Sequence, residues 1–165
     1  MNSTTGKIAF DVDAYVERTV EGPCFICRML GGEPEAAHEI IWEDDDHVAF
    51  LNRYPTLLGY TLVAPKRHVE DTIGEYTADE YLRMQAAVHR VAVAIRATLP
   101  VERTYVMSLG SRQGNSHVHW HVAPLPPGVP HERQQFHALM VENGVLDQSD
   151  EDKAALARRL RAALA

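Results

Sequence analysis

A chain of 165 residues can bury one proper core but is too short for two comfortable domains. With 45% hydrophobic and 24% charged residues it has the make-up of a folded globular protein, and no apolar run is long enough to span a bilayer. A formal charge of −7 weighs against wrapping a nucleic-acid polymer, since an acidic surface gains little from counterion release; a local pocket can still take one small phosphate ligand.

Residues 1–10 hold one lysine and no apolar core followed by small residues, so they do not read as a secretory signal. A cytoplasmic, reducing setting is expected. In it the C-x-x-C pair Cys24 and Cys27 suits a metal site or a redox pair better than a structural disulfide.

In chain order, residues 11–20 predict a short helix stopped by Gly22 and Pro23. Residues 38–42 and 47–51 are apolar and rich in β-branched side chains, and the acidic stretch 43–46 between them predicts a hairpin turn. Residues 60–64 form a third strand closed by Pro65. The clearest element spans residues 78–99. Thr77 and Glu80 fit the capping box, in which each side chain satisfies the other's orphan backbone donor. Tyr81, Met84, Val88, Val91, Ile95 and Leu99 then step by three and four into one apolar stripe, which Pro100 ends. Residues 104–109 and 116–123 predict two more strands joined by the polar loop 110–115, and residues 134–141 and 151–164 predict helical pieces, the second capped by Asp150. This order predicts an α+β fold: a mostly antiparallel sheet of about five strands with one long helix and a helical C-terminal tail.

Residues 117–121 read His-Val-His-Trp-His. In a strand, alternate side chains share a face, so His117, His119 and His121 line one face while Val118, Trp120 and Val122 bury on the other. Three imidazoles on one face suit a metal, or a nucleophile whose neighbours manage charge; the spacing alone leaves both open.

The run His117-Val118-His119-Trp120-His121-Val122-Ala123 resembles, at every position, the H-φ-H-φ-H-φ-φ signature of the histidine-triad (HIT) superfamily, φ being apolar. The resemblance extends upstream through 24–33, 42–51, 52–55 and 59–68. It implies a histidine-triad domain over 23–128, an N-terminal extension over 1–22 and a helical tail over 129–165. It further implies an enzyme in which His119 attacks the α-phosphorus of a small purine nucleotide and forms a nucleotidyl-histidine, which water or another acceptor resolves. His121 then stabilises developing charge, and a His there, where a uridylyltransferase branch has Gln, points to hydrolase or phosphorylase chemistry. The substrates implied are dinucleoside polyphosphates or nucleoside phosphoramidates, without an organic cofactor.

The same resemblance places Asn52 at the ribose hydroxyls, although a turn role before Tyr54-Pro55 reads equally well. Gln113, Asn115 and Ser116 become the phosphate contacts, in a loop where Gly114 stands at a position that usually carries a hydroxyl. Tyr60 stands where many relatives have His. Cys24, Cys27, His68 and His117 fill the positions through which some relatives hold a structural zinc. The protein is expected to be a homodimer in which the stripe of Tyr81, Val88 and Ile95 and the strand near Tyr105 meet their mates. A nucleotide sensor with little turnover, and a zinc enzyme using all three triad histidines, are the alternatives.

Overall fold

The computed structural model describes residues 6–109 and 116–165. Its elements are β1 (Lys7–Ile8), α1 (Val12–Glu21), α2 (Phe25–Leu30), β2 (Ile40–Glu43), β3 (His47–Leu51), β4 (Thr61–Pro65), α3 (Ala78–Thr98), β5 (Arg103–Met107), β6 (Trp120–Leu125), α4 (Phe136–Leu139), β7 (Val145–Leu146) and α5 (Asp150–Leu164). Five strands form one sheet in the order β2-β3-β4-β6-β5, every neighbouring pair antiparallel. The α+β reading therefore holds. No helix among the described residues is long and apolar enough to cross a membrane.

Local chemistry explains most of these elements. The β2–β3 turn is fixed by Asp44, whose Oδ1 accepts from the backbone N–H groups of Asp46 at 2.9 Å and His47 at 2.7 Å. The Thr77–Glu80 capping box is present at the start of α3. One face of α3 buries Met84, Ala87, Val88, Val91, Ala94 and Ile95, and these pack with Ala49, Val63, Val118, Trp120 and Val122 of the sheet layer. Helix α5 adds Leu156, Leu160 and Leu164 to the same core. It is clasped to α3 reciprocally: Arg90 of α3 donates to the Leu164 carbonyl at 2.9 Å, and Arg159 of α5 donates to the Thr98 carbonyl at 2.7 Å. Each guanidinium thus satisfies carbonyls that a helix C-terminus leaves without intrahelical partners.

Four expectations are corrected. The stripe of Tyr81, Val88 and Ile95 faces the protomer's own core, with Val88 3% and Ile95 0% exposed, so it is not a subunit interface. The strand that carries the histidine run, β6, begins at Trp120 rather than at residue 116. The predicted helix over 134–141 is only Phe136–Leu139, because Gln135 has a positive φ of 51° and its N–H is drawn to the Tyr105 hydroxyl at 2.9 Å, while Met140 is extended. Ser149, not Asp150, caps α5, through a reciprocal pair with Asp152.

Candidate functional site

The histidine run sits where β6 starts. Val118, Trp120 and Val122 are buried against α3, and Trp120 is held edge-on by Tyr76 and Tyr81 at 6.0 and 6.2 Å between ring centroids. On the sheet's other face His121 lies opposite Leu62 and Met107, and its ring centroid is 4.8 Å from that of His119. Sheet pairing with β4 ends at Trp120, so the residues before it satisfy their backbone elsewhere. Val118 N–H donates to the Val69 carbonyl at 2.7 Å, and Ser108 Oγ donates to the His119 carbonyl at 2.9 Å.

Each triad imidazole has a ring nitrogen fixed by an oxygen of the protein. His119 Nδ1 is 2.8 Å from the His117 carbonyl, which can only accept, so Nδ1 carries the proton and Nε2 keeps a free lone pair. Burial lowers the pKa of His119, against that hydrogen bond, and keeps the ring neutral. His117 is fully buried, and its Nε2 donates to the Pro65 carbonyl at 2.9 Å. Its Nδ1 lone pair consequently faces Cys24 Sγ at 3.4 Å and Cys27 Sγ at 3.6 Å. Burial pushes His117 down to about 4. His121 Nδ1 meets the Tyr60 hydroxyl at 3.0 Å, and burial first, then the repulsion that two neighbouring imidazolium rings would feel, pushes His121 down to about 3.

The second constellation is Cys24, Cys27, His68 and His117, whose four donor atoms lie within 4.8 Å of one another. Helix α2 brings the thiols together, since Cys24 is its N-cap and Cys27 lies in its first turn. His68 Nδ1 is 3.3 Å from Cys27 Sγ, and its Nε2 is 3.1 Å from Glu70 Oε1. A tetrahedral zinc with ordinary Zn–S and Zn–N lengths separates sulfur from nitrogen by about 3.5 Å, so the observed separations fit that ion. The outer contacts fit as well. Both histidines turn the nitrogen that faces away from the cluster to an oxygen, a carboxylate for His68 and a carbonyl for His117, as metal-bound imidazoles do. Both cysteines are free thiols. Without a cation Cys27 is raised to about 11, by burial first and then by its hydrogen bond to Cys24 and repulsion from it. A bound metal ion reverses that balance.

Among the remaining expected residues, Asn52 makes the turn: its Oδ1 accepts from Tyr54 N–H at 2.9 Å. Ser116 Oγ donates to Glu70 Oε1 at 3.0 Å, which ties Ser116 to the carboxylate behind His68. Gln113 and Asn115 lie outside the described residues. Glu70 and Ser108 were not singled out from the sequence. The spacing His68-Val69-Glu70 carried a signal for the first, a carboxylate two residues from an imidazole; nothing local marked Ser108.

Comparison with known proteins gives the family. The HIT domain profile matches residues 33–127, more than half the chain. The chain belongs to the HIT family. An uncharacterised HIT-like protein of Mycobacterium tuberculosis is 38% identical over 149 residues, covering 87% of this chain and 94% of that protein. A zinc-bound histidine triad family protein from Mycobacterium smegmatis shares this HIT fold with a TM-score of 0.67 at 27% identity, covering 86% of this chain and 92% of the other. A hypothetical histidine triad nucleotide-binding protein from Sulfolobus tokodaii has a TM-score of 0.69 at 24% identity, covering 86% and 91%.

Proposed function

We propose that this HIT protein binds a small purine nucleotide and cleaves it at the α-phosphate through a nucleotidyl-histidine on His119. The observation that carries the reading is the His119 Nδ1 contact to the His117 carbonyl at 2.8 Å, which leaves Nε2 as a neutral imidazole's lone pair. His117 orients the nucleophile through its backbone and serves the metal cluster through its ring. His121, whose ring lies 4.8 Å away, stabilises charge on the phosphate. In the first step the His119 Nε2 lone pair forms a P–N bond, the P–O bond to the leaving group breaks, and its electrons depart with that oxygen. In the second, water oxygen forms a P–O bond, the P–N electrons return to Nε2, and the water proton passes to solvent. Asn52, Ser116, Gln113 and Asn115 complete the nucleotide contacts in this reading.

Zinc on Cys24, Cys27, His68 and His117 is the metal the donor set supports. It contributes folding energy by tying the N-terminal thiols to the histidine segment, and its four protein donors leave it closed to substrate. A reducing cytoplasm, where thiols stay free for metal, is the matching compartment.

A homodimer through β5 completes the proposal. This strand is an edge of the sheet. Val106 on this strand and Val93 on α3 are both exposed. A partner strand would pair the backbone groups that an edge strand leaves open.

The test is chromatographic assay of purified protein on diadenosine polyphosphates and adenylated amines, with His119→Ala alongside. Turnover lost in His119→Ala while nucleotide binding survives supports the reading; acid-labile label from an α-phosphate-labelled substrate in wild type alone identifies the P–N bond. Near-wild-type turnover in His119→Ala refutes it.

A further inference from the structure

Tyr60 stands immediately before β4, and Gly59 beside it takes a φ of +83°. The register Leu62↔His121 puts Tyr60, two residues earlier on the same face, diagonally next to His121. Its ring is 6% exposed and packs with the core on that face, so the hydroxyl is held in place 3.0 Å from His121 Nδ1.

That contact has two possible proton arrangements. If His121 Nδ1 donated, the phenol would have to place its own proton elsewhere. Among the described residues the Tyr60 hydroxyl has one partner, His121, so that proton would be buried without an acceptor. Such a loss costs more than a hydrogen bond contributes. The phenol is also kept protonated, because burial pushes it up to about 12. Tyr60 O–H therefore donates to Nδ1, and the proton of a neutral His121 sits on Nε2. His119 carries its proton on the other nitrogen, Nδ1, so the neighbouring rings are opposite tautomers: one offers a lone pair, the other an N–H.

We propose that Tyr60 is a positioning residue that locks His121 as a neutral Nε2–H donor, a group able to hydrogen-bond a phosphate oxygen but with no proton to surrender, and that the site consequently favours leaving groups that depart as stable anions. This rests on the nucleotidyl-transfer reading above. A second imidazole at position 60 could accept a proton as well as donate one, and so support a charged His121; a phenol beside Nδ1 cannot. When the P–O bond to a polyphosphate breaks, the electron pair is stable on the departing phosphate and no proton is needed. When a P–N bond to an amine breaks, the departing nitrogen is strongly basic and needs a proton in the transition state. The substrate class favoured is the phosphoanhydride, a dinucleoside polyphosphate, over the phosphoramidate.

Two measurements on the full chain test this. Long-range nitrogen–proton NMR of ring-labelled histidine, with His121→Gln to assign the signal, should give the Nε2–H pattern for His121, and Tyr60→Phe, which removes one oxygen, should convert it to a mixture. A wild-type Nδ1–H pattern, or a pattern unchanged in Tyr60→Phe, overturns the proposal. Turnover of diadenosine tetraphosphate and of an adenylated amine should then favour the first in wild type, and Tyr60→His should shift the ratio of kcat/KM values toward the amine on the order of tenfold or more. An unchanged ratio overturns the leaving-group assignment. Absence of turnover on both compounds with the Nε2–H pattern intact refutes the nucleotidyl-transfer reading and the leaving-group assignment with it, and upholds the tautomer lock.

Discussion

Replacing His121 by Gln should make the protein relatively more acid-resistant. The folded-state pKa of His121 is lowered from an ordinary 6.5 to about 3, by burial first and by His119 second. A lowered histidine pKa means that the unfolded chain binds a proton which the folded chain refuses. The stability associated with the neutral ring is complete above pH 6.5 and is lost as pH falls toward 3. Each pH unit in that window costs about 1.4 kcal/mol per group. From neutrality to pH 5, one and a half units below the ordinary value, wild type should lose about 1–2 kcal/mol through this ring, the lower figure allowing for partial contact with solvent. His121→Gln removes the titration and, at any fixed pH, costs packing and the Tyr60 contact. Urea unfolding of both proteins at pH 7.5 and pH 5 isolates the effect as a double difference, in which the other buried histidines and the metal cluster cancel. The gap between the two proteins should narrow by about 1–2 kcal/mol at the lower pH. A gap that is the same at both values refutes the assignment of a neutral, buried His121.

Metal analysis should find close to one zinc per chain, and Cys24→Ala should lose metal and thermal stability together, because energy gained at a structural site is folding energy; metal-free protein of unchanged stability counts against the cluster. Val106→Arg, a charge on the exposed face of β5, should convert a dimer to a monomer in sedimentation experiments without altering the far-UV spectrum. Gly59→Ala should cost about 1–3 kcal/mol in denaturant unfolding, since the position has a φ of +83° and the added Cβ would stand 2.5 Å from Leu99 Cδ1.

Much of this architecture was legible because it is written in local chemistry. The long helix announced itself through Thr77, Glu80 and a stripe at helical spacing, and its observed span, Ala78–Thr98, differs from the expected one by a single residue. The hairpin was legible in its acidic turn. What escaped depends on partners far away in the chain. The pairing of Lys7–Ile8 with Val145–Leu146 involves strands too short to show any alternation. Helix α2 occupies six residues, Phe25–Leu30, a segment in which only the cysteines stood out. The start of β6 was misplaced because alternation continues through residues 117–119, and only the loss of a β4 partner reveals that the sheet has ended. The stripe of the long helix marked the face that is buried, but that the protein's own sheet covers it depends on partners distant in the chain. At the site, the histidine spacing was visible at once. The assignment of each proton was not, because it resides in Pro65, Tyr60 and a backbone carbonyl.

The alternation of buried and chemical residues across 117–122 also limits how this segment can vary. Val118, Trp120 and Val122 are wedged into the layer beneath α3 and serve as the index that sets the reading frame of the imidazoles. Insertion or deletion of one residue between His117 and His121 would not merely displace a histidine. A shift by one exchanges the two faces, sending an imidazole into an apolar layer and an indole onto the face that the histidines line. Substitutions that keep the frame can be graded in effect, whereas changes of frame are all-or-none, so variation in length should collect before the first histidine and stop there.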